Sequence, residues 1–350
     1  MEAFDSKRSV GRRDEEDYKV VLANPFEEDE TRIYRCPSYR RLGSKTQVMT
    51  SPEDYYIRTR LVHTQEVMAL AVHISQALGL NTSLCRAIAA GHDIGHAPYG
   101  HLGESVLTEI MGKPFSHNIA SVVVAQQLEN KGKGLNLSFE TLEGILFHSK
   151  TKSRKVEAHK NVPHEYNAVM FSDKIAYTTS DINDSIRYGY LNADKLPDFV
   201  NRLGKTQDER DFNVLKALIK ESKRIGIVQL TEGQVAGDFY KTRNFMFEEV
   251  YYKIENPVNR AILKKVYDFF VTEPYFRDNE IDPLIAIVLL TDEECNRMGK
   301  MMMGSRRFTL DNLRDFSIFS YLSVFSRRKI DITDPDLDWG YERRRARNVL

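Results

Sequence analysis

The chain has 350 residues, of which 50 are Lys or Arg and 50 are Asp or Glu, so its formal net charge is zero. A neutral chain has no overall field that attracts nucleic acid or a membrane surface, and such binding would need a local patch. The three cysteines are widely spaced and form no CxxC pair. This spacing argues against a disulfide framework or a thiolate zinc site and predicts a cytoplasmic protein.

The N-terminal residues and the C-terminal residues are both strongly charged. Residues 1–20 contain many charges and no apolar run of the signal-peptide type, so we expect a flexible arm there. Residues 335–350 include the basic stretch YERRRARNVL, which we expect to be a tail. The longest apolar run, LIAIVLL at 284–290, is too short to span a bilayer, so no membrane contact is expected.

Apolar periodicity predicts helices through nearly the whole chain. Between 58 and 80 the apolar residues recur at three- and four-residue steps up to Gly79, and Asn81 is the start signal of a second helix. Further helices are predicted at 117–129, 138–148, 166–187, 208–223, 234–252, 257–271, 282–298 and 309–326. Short strands are plausible only as a hairpin around SPED (51–54) and at IGIVQL (225–230). No linker or repeat divides the sequence, which predicts one all-α domain over 1–350.

The stretch AAGHDIGHAPYGHLGE, residues 89–104, places histidines and carboxylates among small residues. His92 and Asp93 end a short predicted helix, and His63 lies among apolar neighbours inside the preceding long one. Neutral imidazole and carboxylate are usual ligands of divalent metal ions. These three side chains predict a metal site that lacks one carboxylate.

The predicted helix 166–187 offers that carboxylate. Its acidic and aromatic residues recur at steps of four, four and three, so they line one helical face. They are Asp173, Tyr177, Asp181 and Asp184. Such a stripe suits a cation together with a ring, although core packing is the simpler interpretation of the tyrosine alone. His73 has no comparable neighbours, and we interpret it as an ordinary helix residue.

Further titratable residues near these motifs suit phosphate chemistry. Glu104 follows His101 by three residues and can orient it as a proton-transfer pair, whereas His96 is better placed to meet a phosphate oxygen. Arg60 and Lys174 adjoin the metal candidates and could neutralise a triphosphate. The glycines among these residues suit sharp turns or close approach of the backbone to a ligand.

Five sequence blocks together resemble a known family. They are YRRLGSKTQV (39–48), RTRLVHTQEV (58–67), GHDIGHAPYGHLGE (91–104), FSHN (115–118) and SDKIAYTTSDINDSI (172–186). In this order they are similar to the deoxyguanosinetriphosphate triphosphohydrolase-like (dNTP triphosphohydrolase) branch of the HD-domain phosphohydrolases. A weaker likeness through FYKTRNFMFEEVYY and LLTDEECNRM extends it over most of 30–300. The last block departs from the family pattern at Leu289 and Leu290, so no catalytic role is inferred from it.

The resemblance implies a role for each matching residue. It makes His63, His92, Asp93 and Asp173 the metal ligands. It gives acid/base chemistry to the His101 position, a phosphate contact to His96, and to His117 a place near the leaving phosphates. The alternative for His117 is a solvent-facing position at the start of a helix. The resemblance also implies that Gln47 and Asp181 hold the sugar 3′-hydroxyl and that the Tyr177 ring lies under the deoxyribose.

The implied reaction converts dNTP and water into deoxynucleoside and inorganic triphosphate, with dGTP as the expected preference. The implied cofactor is a divalent ion, Mn or Mg first and Fe, Co or Ni as alternatives, since this ligand set does not discriminate strongly. A homo-oligomer is expected from the resemblance. One alternative is an HD enzyme acting on a nucleoside monophosphate, guanosine tetraphosphate or a cyclic dinucleotide. Another is a nucleotide-sensing or single-stranded nucleic-acid-binding oligomer that uses the basic residues at 306–307 and 343–345.

Overall fold

The computed structural model describes residues 1–14, 24–48, 56–149, 156–254, 256–304, 308–335 and 337. Over these residues the fold is helical, with two isolated antiparallel bridges, Arg12–Ser138 and Thr46–Thr59, as the only β contacts. The predicted all-α class is therefore confirmed. None of the described helices is both long enough and apolar enough to cross a membrane.

The α-helices follow one another along the chain with short connections. They are α1 (Pro25–Arg35), α2 (Pro37–Arg41), α3 (Arg60–Leu78), α4 (Thr82–Gly91), α5 (Gly100–Met111), α6 (His117–Val123), α7 (Glu129–Gly132), α8 (Phe139–Phe147), α9 (His164–Arg187), α10 (Asp198–Leu203), α11 (Gln207–Ile225), α12 (Gly233–Met246), α13 (Pro257–Thr272), α14 (Pro274–Asp278), α15 (Pro283–Leu289), α16 (Asp292–Met303), α17 (Leu310–Leu313) and α18 (Phe319–Phe325). Short 3₁₀ turns lie at Ser6–Arg8, Leu42–Ser44 and Ala193–Lys195, and π-helical turns extend α6 over Val124–Leu128 and α12 over Phe247–Tyr251.

Helix α9 is the buried centre of the fold. It packs against α3 and α4, while α1 and α8 pack on α4 from other sides. Most of its residues are buried, including polar ones. The buried hydroxyls of Ser172 and Thr179 find acceptors within the helix: they donate to the Ala168 and Ile175 carbonyls, at 2.8 and 2.9 Å. Charged side chains on α9 must then find partners within the protein, because water does not reach them.

The ends of the helices follow local sequence signals. Gly79 ends α3 in the left-handed conformation (φ 68°), as predicted, because glycine adopts this conformation without a Cβ clash. Asn81 then caps α4 by accepting the Leu84 amide hydrogen. Capping boxes begin α11 at Thr206 and α16 at Thr291.

The prediction of one continuous helix over 282–298 was wrong, because this region forms two helices. The chain is extended at Leu290 and restarts at Thr291, whose capping box with Glu294 begins a new helix, α16. The predicted helix 309–326 is likewise interrupted between α17 and α18. Helices α1, α2, α5, α10 and α14 were not predicted from apolar periodicity.

The predicted strand at 225–230 was also wrong. Val228 and Leu230 are buried, as an alternating strand requires, but this segment pairs with no neighbouring strand among the described residues. The Gln229 amide instead donates to Ser222 Oγ at 3.1 Å. Residues 49–55 of the predicted hairpin lie outside the described residues. Its predicted strands are TQVM (46–49) and YYIR (55–58), and the Thr46–Thr59 bridge joins the first residue of one strand to the residue that follows the other.

Residues 1–14 of the segment expected to be a flexible arm make specific contacts. The Phe4 amide donates to Glu165 on α9 at 2.9 Å, and the Val10 amide donates to Glu140 on α8 at 2.7 Å. Arg12 is buried and forms an ion pair with Asp29 on α1. Residues 15–23, the basic residues at 306–307 and nearly all of the basic tail, including 343–345, lie outside the described residues.

Gly95 lies where two backbones approach closely, and this contact can be tested. A Cβ at this position would lie 2.1 Å from the Ser121 amide nitrogen and 2.3 Å from the Ala120 carbonyl carbon. We expect Gly95→Ala to lower the free energy of unfolding by about 1–3 kcal/mol or more, since backbone cannot yield easily. Gly237→Ala is the matched control: no atom lies within 4 Å of its Cβ position, and alanine in a helix should stabilise by up to about 1 kcal/mol. Urea unfolding of both variants measures the difference, and equal stabilities would contradict this account.

Candidate metal and nucleotide site

Helices α3, α4 and α9 bring a buried cluster of imidazoles and carboxylates together. The ligand atoms of His63, His92 and Asp93 lie within 4.8 Å of one another. His63 Nε2 lies 3.1 Å from Asp173 Oδ1, and His92 Nε2 lies 3.7 Å from Asp93 Oδ1. All four side chains are buried. The structure thus brings the four predicted metal ligands to one place.

Each carboxylate of this cluster has a cationic partner. Arg60 Nη1 donates to Asp93 Oδ2 at 2.5 Å, and Lys174 Nζ donates to Asp173 Oδ2 at 2.7 Å. Burial opposes ionisation of Asp93, but His92 and Arg60 outweigh it and hold the pKa of this carboxyl well below its usual range. For Asp173, Lys174 and His63 overcome burial in the same way, so its pKa is also well below the usual range. Both groups are therefore carboxylates at neutral pH, as metal ligands must be.

The histidines of the cluster have the form that binds metal. The Nδ1 of His92 donates to the Ala89 carbonyl at 2.8 Å, so Nε2 carries the lone pair. This Nε2 is buried and has no hydrogen-bond partner. Burial also lowers the pKa of His92, which favours the neutral imidazole. A buried nitrogen left unpaired costs about 1–3 kcal/mol, and a cation here would give it a partner. The cluster can therefore hold a divalent metal ion.

Glu104 on α5 lies between two histidines. Its Oε2 lies 3.1 Å from His101 Nδ1, and its Oε1 lies 2.7 Å from His117 Nδ1. Burial opposes ionisation of Glu104, but His117 and His96 outweigh it and hold its pKa well below the usual range. Burial lowers the pKa of His117, but the Glu104 carboxylate raises it by more, so the pKa of His117 lies above its usual value. His117 is thus turned inward, whereas the His101 side chain is 58% exposed.

His96 lies on the inner side of this group. Its ring stacks on His117 with the centroids 4.7 Å apart, and its Nε2 is buried without a hydrogen-bond partner. Burial and the charge of Arg60 hold the pKa of His96 well below its usual range. Its Nδ1 lies 3.3 Å from the Ala97 carbonyl. A phosphate oxygen only accepts hydrogen bonds, so a contact from Nε2 requires the tautomer that carries the hydrogen on Nε2 and gives up the long Ala97 contact.

Two helical turns further along α9, a second group of polar side chains surrounds Asp181. The Tyr251 hydroxyl donates to Asp181 Oδ2 at 2.7 Å, and the Arg58 guanidinium forms an ion pair with Oδ1. Arg58 also bonds Asp184 and Glu66, at 2.8 and 2.7 Å. Burial raises the pKa of Asp181, although Arg58 and Tyr251 oppose the shift.

Tyr177 connects these two groups. Its hydroxyl accepts a hydrogen bond from Arg243 Nε at 2.6 Å, and the Lys174 ammonium lies 5.6 Å from its ring centroid. The Tyr251 ring contacts Tyr177 and also His101, with centroid distances of 6.3 and 6.2 Å. Tyr177 is therefore placed between the metal cluster and Asp181.

Gln47 lies next to the metal cluster. Arg60 Nη2 donates to its backbone carbonyl at 3.4 Å, and its side-chain oxygen is buried without a partner. No hydrogen bond joins the Gln47 and Asp181 side chains in the described part of the chain, and their joint role at the sugar stays a prediction.

Sequence reasoning missed several residues that shape this site. Arg58, Tyr251 and Arg243 gave no signal, because their partners on α9 lie more than sixty residues away along the chain. His148 ends α8 as His92 ends α4, and an imidazole at the end of an apolar helix could have indicated it. Its Nε2 lies 3.1 Å from His117 Nε2.

Asp292 was also missed. It lies in the block LLTDEECNRM, from which no catalytic role was inferred. Its carboxylate accepts the Thr46 amide at 2.9 Å and the Tyr99 amide at 2.8 Å. Tyr99 has a left-handed backbone (φ 63°), which a non-glycine residue adopts only when its surroundings compensate. Asp292 therefore fixes the turn between His96 and His101.

Comparison with known proteins identifies the family of this chain. The HD domain family model matches residues 60–178, which include the four residues of the metal cluster. A deoxyguanosinetriphosphate triphosphohydrolase-like protein of Clostridium tetani is 37% identical over 276 residues, covering 76% of this chain and 78% of that protein. The protein of the same name from Caldanaerobacter subterraneus is 39% identical over 274 residues, covering 77% and 78%.

The chain belongs to the deoxyguanosinetriphosphate triphosphohydrolase-like family of HD-domain proteins. It is accordingly an HD-domain phosphohydrolase, and the cluster of His63, His92 and Asp93 is able to bind the metal ion on which such hydrolases depend.

The role of Asp292 predicts a large effect on stability. We expect Asp292→Ala to lower the free energy of unfolding by about 2–6 kcal/mol, because two buried amides lose their acceptor at about 1–3 kcal/mol each. Glu293→Ala, which removes an exposed carboxylate from the same first turn of α16, is the control and should change it by less than about 0.5 kcal/mol. Urea titrations of both variants provide the measurement. If the two variants unfold at the same urea concentration, Asp292 does not secure this turn.

Proposed function

We propose that this protein is a metal-dependent dNTP triphosphohydrolase that converts dNTP, with dGTP preferred, into deoxynucleoside and inorganic triphosphate. The observation that carries the proposal is the arrangement on α9. Asp173 belongs to the metal cluster, and Tyr177 and Asp181 follow on the same face at steps of about 6 Å. One helix thereby offers a phosphate end and a sugar end for the same nucleotide. The names of the relatives agree with this substrate class.

His63, His92, Asp93 and Asp173 would hold the divalent ion, and the paired carboxylates and the unpaired His92 nitrogen fit such an ion. When bound, a divalent ion supplies Lewis-acid activation of water and of a phosphoryl oxygen. Mn or Mg is the first expectation for its identity. Imidazole ligands also accept Fe, Co or Ni.

Basic and neutral donors around the cluster would bind the triphosphate. Lys174 and Arg60 supply positive charge beside the carboxylates, and Arg243 supplies it beside Tyr177. His96 would donate from its unpaired Nε2 to a phosphate oxygen, in the tautomer that carries the hydrogen there. Preorganised donors of this kind stabilise charge that develops on phosphate in the transition state.

His101 and Glu104 would handle proton transfer. The Glu104 carboxylate fixes His101 through Nδ1 at 3.1 Å, which leaves Nε2 of an exposed imidazole to meet substrate or water. A positioned acid/base group contributes about 10²–10⁴-fold to a rate. His117 binds the other oxygen of Glu104 and thus lies beside the same reaction centre.

The products distinguish this reaction from those of other HD enzymes. Purified protein should be incubated with Mn²⁺ or Mg²⁺ and each dNTP, and the products separated by ion-exchange chromatography. We expect deoxynucleoside and inorganic triphosphate, fastest from dGTP, and loss of both in His92→Ala. His73→Ala, which removes an exposed imidazole from α3, should keep wild-type activity. Release of orthophosphate or pyrophosphate, or hydrolysis only of nucleoside monophosphates or cyclic dinucleotides, would contradict the proposal.

The sugar end of the site gives a second prediction. If Asp181 and Gln47 hold the 3′-hydroxyl over the Tyr177 ring, a dideoxynucleotide leaves buried polar groups unpaired at about 1–3 kcal/mol. We expect kcat/KM to fall about tenfold to a hundredfold from dNTP to ddNTP, and NTP to react poorly because its 2′-hydroxyl crowds the pocket.

Asp181→Ala should reduce this discrimination between dNTP and ddNTP. Asp184→Asn is its control, because Asp184 bonds the same Arg58 guanidinium, whereas the Tyr251 hydroxyl donates to Asp181. Steady-state kinetics on the three nucleotides measures both effects. Equal rates of the wild-type enzyme on dNTP, ddNTP and NTP would refute the sugar contacts.

A further inference from the structure

Arg58, the residue before the N-cap of α3, carries a buried guanidinium that binds three carboxylates. Its Nε donates to Asp184 Oδ2 at 2.8 Å, and its Nη1 donates to Glu66 Oε2 at 2.7 Å. Its Nη2 forms the ion pair with Asp181 Oδ1. Glu66 lies on α3, whereas Asp181 and Asp184 lie on α9. Arg58 therefore joins these two helices at the Asp181 end of the site.

Arg58 and Arg60 are separated by one residue in RTRLVH, and their guanidiniums bind different carboxylates of the site. Arg60 donates to Asp93 of the metal cluster, whereas Arg58 pairs with Asp181. The Arg60 guanidinium also donates to the Gln47 carbonyl at 3.4 Å. One short segment thus supplies positive charge to the metal end and to the sugar end, and contacts the backbone of a predicted sugar residue.

The two oxygens of Asp181 have different surroundings. Oδ1 is paired with Arg58, and Oδ2 accepts the Tyr251 hydroxyl hydrogen at 2.7 Å. A carboxylate oxygen can accept two hydrogen bonds, so Oδ2 keeps the capacity for one further donor. A sugar hydroxyl is a donor of this kind. Because a buried guanidinium holds Oδ1, the direction in which Oδ2 faces is held as well.

Arg58 also favours the ionised form of Asp181. The side chain is buried, with 1% of its residue exposed, and burial raises the pKa of this carboxyl while Arg58 lowers it. A carboxylate offers more acceptor positions than a protonated carboxyl, and its hydrogen bonds to hydroxyl groups are stronger because they are charge-assisted. The guanidinium therefore supports both the direction and the strength of a hydrogen bond to Oδ2.

We propose that Arg58 is the positioning residue of the sugar end: it holds Asp181 Oδ1 so that Oδ2 accepts the 3′-hydroxyl, and it thereby sets the preference for dNTP over ddNTP. The proposal rests on the sugar contacts of the proposed function. Arg58 acts through Asp181 and not on the nucleotide itself. Glu66 and Asp184 hold the guanidinium from its other sides, so its position does not depend on Asp181 alone.

The ratio of kcat/KM for dNTP to kcat/KM for ddNTP tests this role, because a general loss of folded protein lowers both constants alike. Consumption of each nucleotide should be measured, whatever the product. We expect Arg58→Gln to reduce the ratio from about tenfold to a hundredfold in the wild type to less than about threefold, since the acceptor is no longer held in place. Arg58→Lys keeps the charge but loses the planar fork and should give an intermediate ratio.

Arg12→Gln is the matched control. Arg12 is buried like Arg58, at 8% against 9% exposed, and it forms an ion pair with the buried Asp29 on α1, outside the site. We expect Arg12→Gln to be less stable than the wild type but to keep the wild-type ratio. Circular dichroism verifies that each variant is folded. A wild-type ratio in folded Arg58→Gln or in folded Arg58→Lys would overturn the proposal.

The Asp181→Ala variant supplies a second comparison. Two residues that act through one contact are not additive, so Arg58→Lys added to Asp181→Ala should change the remaining ratio by less than about twofold. A further fall beyond this would show that Arg58 acts on the nucleotide directly, which contradicts a positioning role.

The outcomes separate this proposal from the proposed reaction. Triphosphate release with an unchanged ratio in the Arg58 variants rejects only the role of Arg58. Release of pyrophosphate with the expected fall in the ratio rejects only the proposed products. Equal constants for dNTP and ddNTP in the wild type overturn the role of Arg58 together with the sugar contacts. If no dNTP is consumed, the proposed reaction is rejected, and the ratio of the Kd values of dGTP and ddGTP replaces the kinetic ratio.

Discussion

The buried ion pair between Arg60 and Asp93 is the interaction on which the site depends. Both side chains are inaccessible to solvent, and the guanidinium occupies Oδ2 of the carboxylate, which leaves Oδ1 directed at the histidines. Removing one partner of such a pair typically costs about 3–5 kcal/mol, because the other charge stays buried without compensation. Arg60 thus fixes both the ionisation and the orientation of Asp93. Arg60 lies one turn before His63 in RTRLVHTQEV. Helix α3 therefore supplies both an imidazole of the cluster and the cation that orients the Asp93 carboxylate.

Helix α9 extends this arrangement from metal to sugar. Its burial removes water from Asp173 and Asp181 alike, and each carboxylate is compensated by a different cation, Lys174 at one and Arg58 at the other. The same helical spacing that places Tyr177 between them separates the two charges by about 12 Å along the axis. The metal end and the Asp181 end are therefore electrostatically distinct parts of a single rigid element.

The segment between His92 and Glu104 is held at several points by partners from distant parts of the chain. Ser121 Oγ accepts the Gly95 amide and donates to the His92 carbonyl, at 2.9 and 2.8 Å. Asp292 holds the Tyr99 amide, and Lys45, whose pKa burial lowers to about 7, donates to the His96 carbonyl. Three glycines give this segment little conformational preference of its own, although its Ile94 and Tyr99 side chains are buried in the core. Its shape is imposed by these contacts, which is why so many titratable groups can be placed there with precision.

The sequence by itself determined the helical class and the ends of α3 and α4, because apolar periodicity and caps are local properties. It also singled out the residues that meet at the metal cluster, because each of them stands in a short motif that resembles the family. It also singled out Glu104 beside His101 from their three-residue separation. Only the tertiary structure decided that Glu104 is shared with His117, that His148 contacts His117, and that Arg58 and Tyr251 hold Asp181. It also decided that the predicted helix 282–298 breaks at Leu290. These features depend on contacts between residues far apart in the chain and on the loss of water around them, and neither distance in space nor burial of a polar group is encoded in any local pattern of the sequence.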